Sequence, residues 1–417
     1  MKIILFFLTV IIPSLTIAQI TLIPDPNFEQ ALIDSWLDSA PLNGSVPNAN
    51  IDTVTVLYIT SKNITNLTGI EDFTAITEIH ANHNQLSSLD LSQNLSLKAL
   101  NCLNNQLNSL DITQNSQLIS LECGINQLTS LDISQNTGLI YLSFYKNQIS
   151  SIDVTQHPNL EWLDGANNQL PTLNTNQNPL LKWLYCNDNL LTTLNVTQNT
   201  FLDQFICENN NISSIDLTQN TVVTWFACDS NQLTNLNLTQ NILLEHFTCS
   251  RNQITSLDVS QNTALDEFFC HNNQLTCLNM KNGTNSNLYD FAAINNPNLT
   301  CIEVDDVAWS TTNWPYIDPQ TSFSTNCPNP CVIGIEENSL SNLSLYPNPT
   351  TGNLTITQLE QFVGGNLEIV NLMGQVIFSQ QIDTTMLTLN LATQPKGIYL
   401  VKVVNENQVI VQKIVYD

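Results

Sequence analysis

Tyr141, Trp162, Trp183 and Trp225 fall at intervals of 21 residues or twice that, and His246 extends the series by one step. Tyr185 and Phe269 sit two places further along in their own units, in the column that also holds Asp164. Large rings suit non-covalent capture, because they offer broad apolar area, in Tyr and Trp with a hydrogen-bonding tip. Bond-breaking chemistry finds less support. His80, His83, His157, His246 and His271 are scattered over different units, and no Ser or Cys nucleophile motif accompanies them. No catalytic residue is assigned, and the chain is not expected to be an enzyme. Asp305 and Asp306 are adjacent acids without EF-hand spacing, so they carry no metal assignment.

The cysteines follow the same beat. Cys102, Cys123, Cys186, Cys207, Cys228, Cys249 and Cys270 each stand three residues before a recurring Asn. Ala81, Phe144 and Gly165 fill that slot in other units. A slot that accepts Cys, Ala or Phe is a packing position, where Cys behaves as a small hydrophobe. Zinc would need CxxC-type clustering, which the column lacks. Neither metal nor cofactor is expected.

The period dictates the elements that hold these columns. Asn84, Asn105, Asn126, Asn147, Asn168, Asn189, Asn210, Asn231, Asn252 and Asn273 repeat every 21 residues without a slip. A fixed period of this length marks a solenoid, whose units stack only on their neighbours. Around Asn126, Leu118, Leu121 and Cys123 precede and Leu128, Leu131 and Ile133 follow. The stretch before the Asn alternates with period two and reads as a short strand; the rest turns twice and returns. One coil cannot stand alone. Its inward side chains contribute at most about 1.5–3 kcal/mol each, against about 1–2 kcal/mol of backbone entropy per ordered residue. Stacking supplies the difference and aligns the strands into a parallel sheet. The Asn amide both donates and accepts, which suits a bend that leaves backbone groups unpaired. A second Asn column, Asn94, Asn115, Asn136, Asn178, Asn199, Asn220, Asn241 and Asn262, each preceded by Gln, is assigned with that Gln column to the second corner.

Charge narrows the partners. Ten Lys and Arg face 36 Asp and Glu in 417 residues, a net charge of −26. Nucleic-acid binding depends on clustered Lys and Arg, and an anionic membrane surface would repel such a chain. Lys2, the apolar run 3–12 and Thr16-Ile17-Ala18 read as a signal peptide over residues 1–18, cut after Ala18. That run is too short to span a bilayer and no later segment is longer, so no transmembrane segment is expected.

The repeated phrase L-x-x-L-x-C-x-x-N-Q-L-T-S-L-D-L-S-Q-N resembles the leucine-rich repeat family in its short bacterial form, with Cys where a third Leu is common. The resemblance covers about residues 57–302. It implies an α/β-type solenoid, a horseshoe with a parallel sheet and few helices, here assigned to 76–302. It also implies that the places six, four and two before the Asn line the concave face. The six-before column runs Glu78, Ala99, Ser120, Tyr141, Trp162, Trp183, Gln204, Trp225, His246 and Glu267. Residues 19–75 read as an N-terminal cap like that of internalin-type repeat proteins. There Asp25 and Pro26 open an amphipathic helix with Phe28, Leu32, Ile33, Trp36 and Leu37 on one side. Residues 303–331 form a C-terminal flap. Cys277, Cys301, Cys327 and Cys331 are the disulfide candidates, with Cys301–Cys327 favoured and Cys277 left to pair with Cys331 or stay free.

After a linker over 332–342, about seven short alternating segments suggest a small all-β sandwich over 343–417. Tyr346-Pro347-Asn348-Pro349 with Gly352, then Asn371-Leu372-Met373-Gly374-Gln375, then Gly397-Ile398-Tyr399-Leu400-Val401-Lys402-Val403 look like the C-terminal sorting domain of type IX secretion substrates. That resemblance implies contact with the secretion machinery, export across the outer membrane, removal of the domain, and release or surface attachment.

The expectation is a secreted or cell-surface binding protein, acting in adhesion or protein–protein interaction. Its contact strip would comprise Tyr141, Trp162, Trp183, Tyr185, Trp225, His246 and Phe269. The family resemblance favours an extracellular protein as partner. A surface glycan stacked on the rings, with Glu161, Asp164, Asn187 and Asp203 nearby, is the alternative, and a structural surface role the third. Rings that merely pack on one another as cross-strand neighbours are the plain reading.

Overall fold

The computed structural model describes residues 19–329, 331, 343–357, 359, 362–371, 375–404 and 409–417. The expected signal peptide, the linker 332–342 and Leu372-Met373-Gly374 lie outside these residues. The chain divides into two compact units, Met1–Cys331 and Val332–Asp417.

A twelve-stranded parallel sheet runs through the first unit, from Val56–Tyr58 to Asp290–Ala292. It thus begins ahead of residue 76. Each strand has three residues and meets its neighbour in strict register: Tyr141 beside Trp162, Trp162 beside Trp183, Trp183 beside Gln204, Gln204 beside Trp225, Trp225 beside His246. The constant coil length imposes that alignment. Ser256–Asp258, Cys277–Asn279, Cys301–Glu303 and Ser322–Ser324 form a second parallel sheet near the C-terminal end of this unit. Its phrase alone did not announce it, since Ser88-Leu89-Asp90 and Ser130-Leu131-Asp132 carry the same residues without forming strands.

The ladder asparagines tie coil to coil. Asn210 accepts from the Leu191 N–H at 2.9 Å and donates to the carbonyls of Cys186 and Cys207 at 3.0 and 3.1 Å. Just before each ladder Asn the backbone enters the left-handed region, as at Asn104 (φ 55°), Asn167 (φ 55°) and Ile125 (φ 49°). Among residues with a Cβ, Asn tolerates that region best, and β-branched Ile125 is its costliest occupant. At the second corner Asn115 donates to the carbonyls of Leu91 and Asn94, both at 3.0 Å. His157 stands in this column, fully buried, with Nε2 3.1 Å from the Ile133 carbonyl. The Gln column does not serve the corner. Gln93, Gln114 and Gln135 point to solvent, because the Asn that follows takes the inward place in the turn.

Inside, the column five before the Asn is Leu100, Leu121, Leu142, Leu163 and Leu184, then Phe205, Phe226, Phe247 and Phe268, with Phe291 following; all are buried. The Phe rings stack at 5.3–5.7 Å between centroids. The cysteine column is equally buried, and burial pushes Cys102 up to about 12. Phe144 fits there because the next coil offers Gly165: a Cβ on Gly165 would lie 2.6 Å from the Phe144 ring.

Both ends are covered. Asp25 accepts from the N–H groups of Asn27 and Phe28 and starts the helix Pro26–Asp34, which buries Phe28, Ala31 and Leu32. The helix stops before Trp36, which turns left-handed (φ 61°) and is 94% exposed, so Trp36 does not share the covering face. At the other end Asp306 caps the helix Val307–Asn313 through the Trp309 N–H, and Trp314 lies 4.8 Å from Phe291. Asp305 pairs with Asn285, which accepts its N–H at 2.8 Å. Disulfides join Cys301 to Cys327 and Cys277 to Cys331.

The second unit holds two antiparallel sheets among its described residues. Ser344–Tyr346, Asn353–Thr357 and Met386–Asn390 form one; Val376–Gln381, Asn366–Asn371, Gly397–Val404 and Val409–Tyr416 form the other. Alternate residues Leu354, Ile356, Leu367, Ile369, Val401 and Val403 make its core.

Asn210→Ala should cost about 3 kcal/mol in urea unfolding, since it strands a buried N–H and two carbonyls. Gln198→Ala, at an exposed position in the preceding coil, should stay within about 0.5 kcal/mol. Thiol titration should find none of the Cys102–Cys270 series reactive in the native protein and all seven in denaturant without reductant. Eleven reactive thiols would mean that the two disulfides are not formed.

Candidate binding face

A three-residue strand buries its middle side chain and turns the flanking two outward. Trp162 and Asp164 therefore share the open face of the sheet while Leu163 enters the core. The same alternation exposes one edge of Tyr141, Trp183, Tyr185, His246 and Phe269, all half-buried, and leaves Trp225 39% exposed.

Register brings some of these rings together and separates others. Tyr141 stacks on Trp162 at 5.3 Å, Trp183 lies 5.3 Å from Trp162 on its other side, and Tyr185 meets Trp162 edge-on at 5.2 Å. Trp225 and His246 form a second group at 5.5 Å. Gln204 stands between the groups and accepts from the Tyr185 hydroxyl at 2.5 Å. Phe269 is apart from both, 6.4 Å from His271. The rings thus pack on one another and stay partly open to water. Lys182, held by Glu161 at 2.8 Å, lies 5.9 Å from the Trp183 ring centre.

Carboxylates occupy the same face. Asp164 accepts from the Ala166 N–H and the Ser143 hydroxyl, both at 3.2 Å, and burial raises it to about 6. The Tyr141 hydroxyl donates to Glu122 at 3.3 Å; burial, then that carboxylate, pushes the phenol upward. Further along, a recess of about 240 Å³ is lined by Glu208, Asp229, Ser250, Arg251, Phe269 and His271 among others. Burial and contact with Asp229 raise Glu208 to about 7. Asp229 accepts from the Thr248 hydroxyl and the Ser250 N–H, and Ser250 Oγ lies 2.9 Å from His271 Nδ1. Burial lowers His271.

Two features escaped the sequence reading. The Glu208–Asp229 pair lies in the two-before column, which would have revealed it had that column been read through. Leu180, Phe201, Val222 and Leu243 form an exposed apolar row two places after the second-corner Asn. Reading that column would have found it too. Among the described residues, no cluster of His, Cys, Asp and Glu could hold a metal ion. No described helix is long and apolar enough to cross a membrane.

Residues 344–417 match the family described as the secretion system C-terminal sorting domain. No curated protein matches the chain. Its fold is that of leucine-rich repeat proteins. The functional domain of InlJ from Listeria monocytogenes, described as including a cysteine ladder, aligns with TM-score 0.64 and 24% identity over 97% of this chain and 100% of that one. An internalin, inlF, of the same species aligns with TM-score 0.55 and 20% identity over 74% and 97%. A leucine-rich repeat protein of Leptospira interrogans gives TM-score 0.52 and 22% identity over 61% and 74%.

A carboxyl group whose pKa rises on folding favours the folded state when protonated. Glu208 therefore contributes stability below about pH 4, its unfolded range, and loses that contribution as pH rises through about 7. Glu208→Gln, which removes the charge facing Asp229, should melt above the wild type at pH 8 and alongside it at pH 4. Equal melting temperatures at pH 8 would contradict a like-charge contact here.

Proposed function

We propose that this chain, a leucine-rich repeat solenoid carrying a secretion system C-terminal sorting domain, is an exported protein-binding protein. Its contact surface would be the Tyr141, Trp162, Trp183 and Tyr185 cluster, extended by Trp225, His246 and Phe269. One observation carries the reading: rings stand in register on a rigid sheet face and remain partly wet. The solenoid's stability comes from the inward columns, so these outward positions could be polar at little cost to the fold. Exposed aromatic groups on preorganised elements are characteristic of contact hot spots. The sorting domain supports the route to the cell surface or beyond, where a protein partner would be met. Of the histidines, His157 is sealed inside the coil stack and out of reach of a ligand.

A glycan has weaker support than a protein. Stacking on sugar needs an open ring face, and Trp162 has Tyr141 on one side and Trp183 on the other.

The test is a binding screen of residues 19–417 against extracellular proteins, with a glycan array alongside. Protein capture should disappear in Trp162→Ala/Trp183→Ala, whose melting temperature should fall by only a few degrees. Each lost ring pair costs about 0.5–1.5 kcal/mol beyond area. A collapse matching that of Phe226→Ala would mean the rings serve the core instead.

A further inference from the structure

The three outward columns, at places six, four and two before each ladder Asn, hold Glu78, Glu122, Asp164, Glu208, Asp229 and Glu267 between residues 78 and 271. They hold no Lys or Arg at all. The cations stand beside these columns, Lys98 and Lys182 before the strands, Lys146 and Arg251 after them; Arg251 reaches the wall of the recess but makes no ion pair with its carboxylates. Overall acidity does not account for where these carboxylates lie. On the exposed turns Asp111, Asp153 and Asp216 each accept from the hydroxyl and the backbone N–H of the Thr two residues on, which lowers their pKa, and they stay in water. On the sheet face the reverse holds. Asp164 is sunk among Tyr141, Tyr145 and Tyr185, and Glu208 is pressed against Asp229, with burial as the leading cause of each upward shift. No Lys or Arg ion pair relieves either one. Within the same ring cluster the Trp162 Nε1–H is buried and has no acceptor.

Resting on the protein-binding reading above, we propose that the open face accepts a cationic segment of a partner protein. One Lys or Arg head would meet Asp164 among the rings, and a second would enter the recess between Glu208 and Asp229. The apolar stem of such a side chain packs along aromatic edges while its head reaches the carboxylate. A backbone carbonyl of the segment would take the Trp162 indole N–H. Spacing sets the pattern. Asp164 and Asp229 are three coils apart, about 14 Å at a strand separation of about 4.8 Å. An extended chain covers that distance in about four residues at about 3.4 Å each. The segment should therefore carry two basic residues about four positions apart.

The experiment measures binding of residues 19–417 to extended twelve-residue peptides at physiological salt. One carries two Arg four apart, its twins carry Gln or Glu instead, and an array of unrelated peptides accompanies them. The Arg peptide should bind, and the Gln and Glu twins should bind at least tenfold more weakly. Asp164→Asn and Glu208→Gln/Asp229→Asn should each weaken the Arg peptide at least tenfold. Asp111→Asn/Asp132→Asn/Asp153→Asn, which removes as much or more charge from exposed turns, should change it less than twofold. Equal losses in the turn and face variants would reduce the effect to bulk charge and overturn the proposal. Peptides that depend on Trp162 and Trp183 but bind equally well with Gln would overturn the cationic class and leave the aromatic contact surface standing. An array with no Trp162-dependent binding would overturn both.

Discussion

One side-chain amide per coil fixes nearly everything else in the first unit. The Asn210 carboxamide holds a backbone N–H of the coil before it and carbonyls of both coils at once. That bond set repeats unchanged over coils of equal length, and Asn296 keeps it across a coil two residues longer, with the Leu275 N–H and the carbonyls of Cys270 and Ala293 as its partners. Ten coils carry it from Asn84 to Asn273. Every other position is thereby stacked on its own counterpart, and a residue type chosen in one coil becomes a column.

Columns divide the labour. Inward ones are judged by volume, and they trade it between neighbours: Leu gives way to Phe from residue 205 onward, and Phe144 is matched by Gly165. Outward ones are free of that constraint. The sheet face can thus collect aromatic and acidic groups whose burial costs are carried by the stack as a whole. Strand spacing then decides which of them touch, and it places Tyr141 and Trp183 against opposite sides of Trp162.

Much of this was legible in the residues because a period translates directly into register. The side-by-side order of Tyr141, Trp162 and Trp183 needed only the count of 21. Asp25-Pro26 announced its helix start by cap chemistry, and seven alternating segments announced the second unit's strands. What stayed hidden depended on contacts that no column states. Trp36 looked like helix until the chain turned left-handed beyond Ser35. The glutamines looked like corner residues, yet only their Asn neighbours point inward. Glu208 and Asp229 stand 21 apart and so share a column, but the depth of the recess around them depends on neighbouring side chains rather than on spacing.

The last coils are stapled by two disulfides, whereas the first are covered by a nine-residue helix and a two-stranded pairing. Since coils touch only their neighbours, a mechanical load travels along the stack one interface at a time. A pull applied on the Tyr141–His246 face and resisted at the C-terminal end runs through the Phe205–Phe291 stack and both cystines. The coils before Tyr141 lie off that load path. A load resisted at the C-terminal end of this unit therefore meets covalent cross-links, whereas one resisted at its other end meets only helix packing and hydrogen bonds.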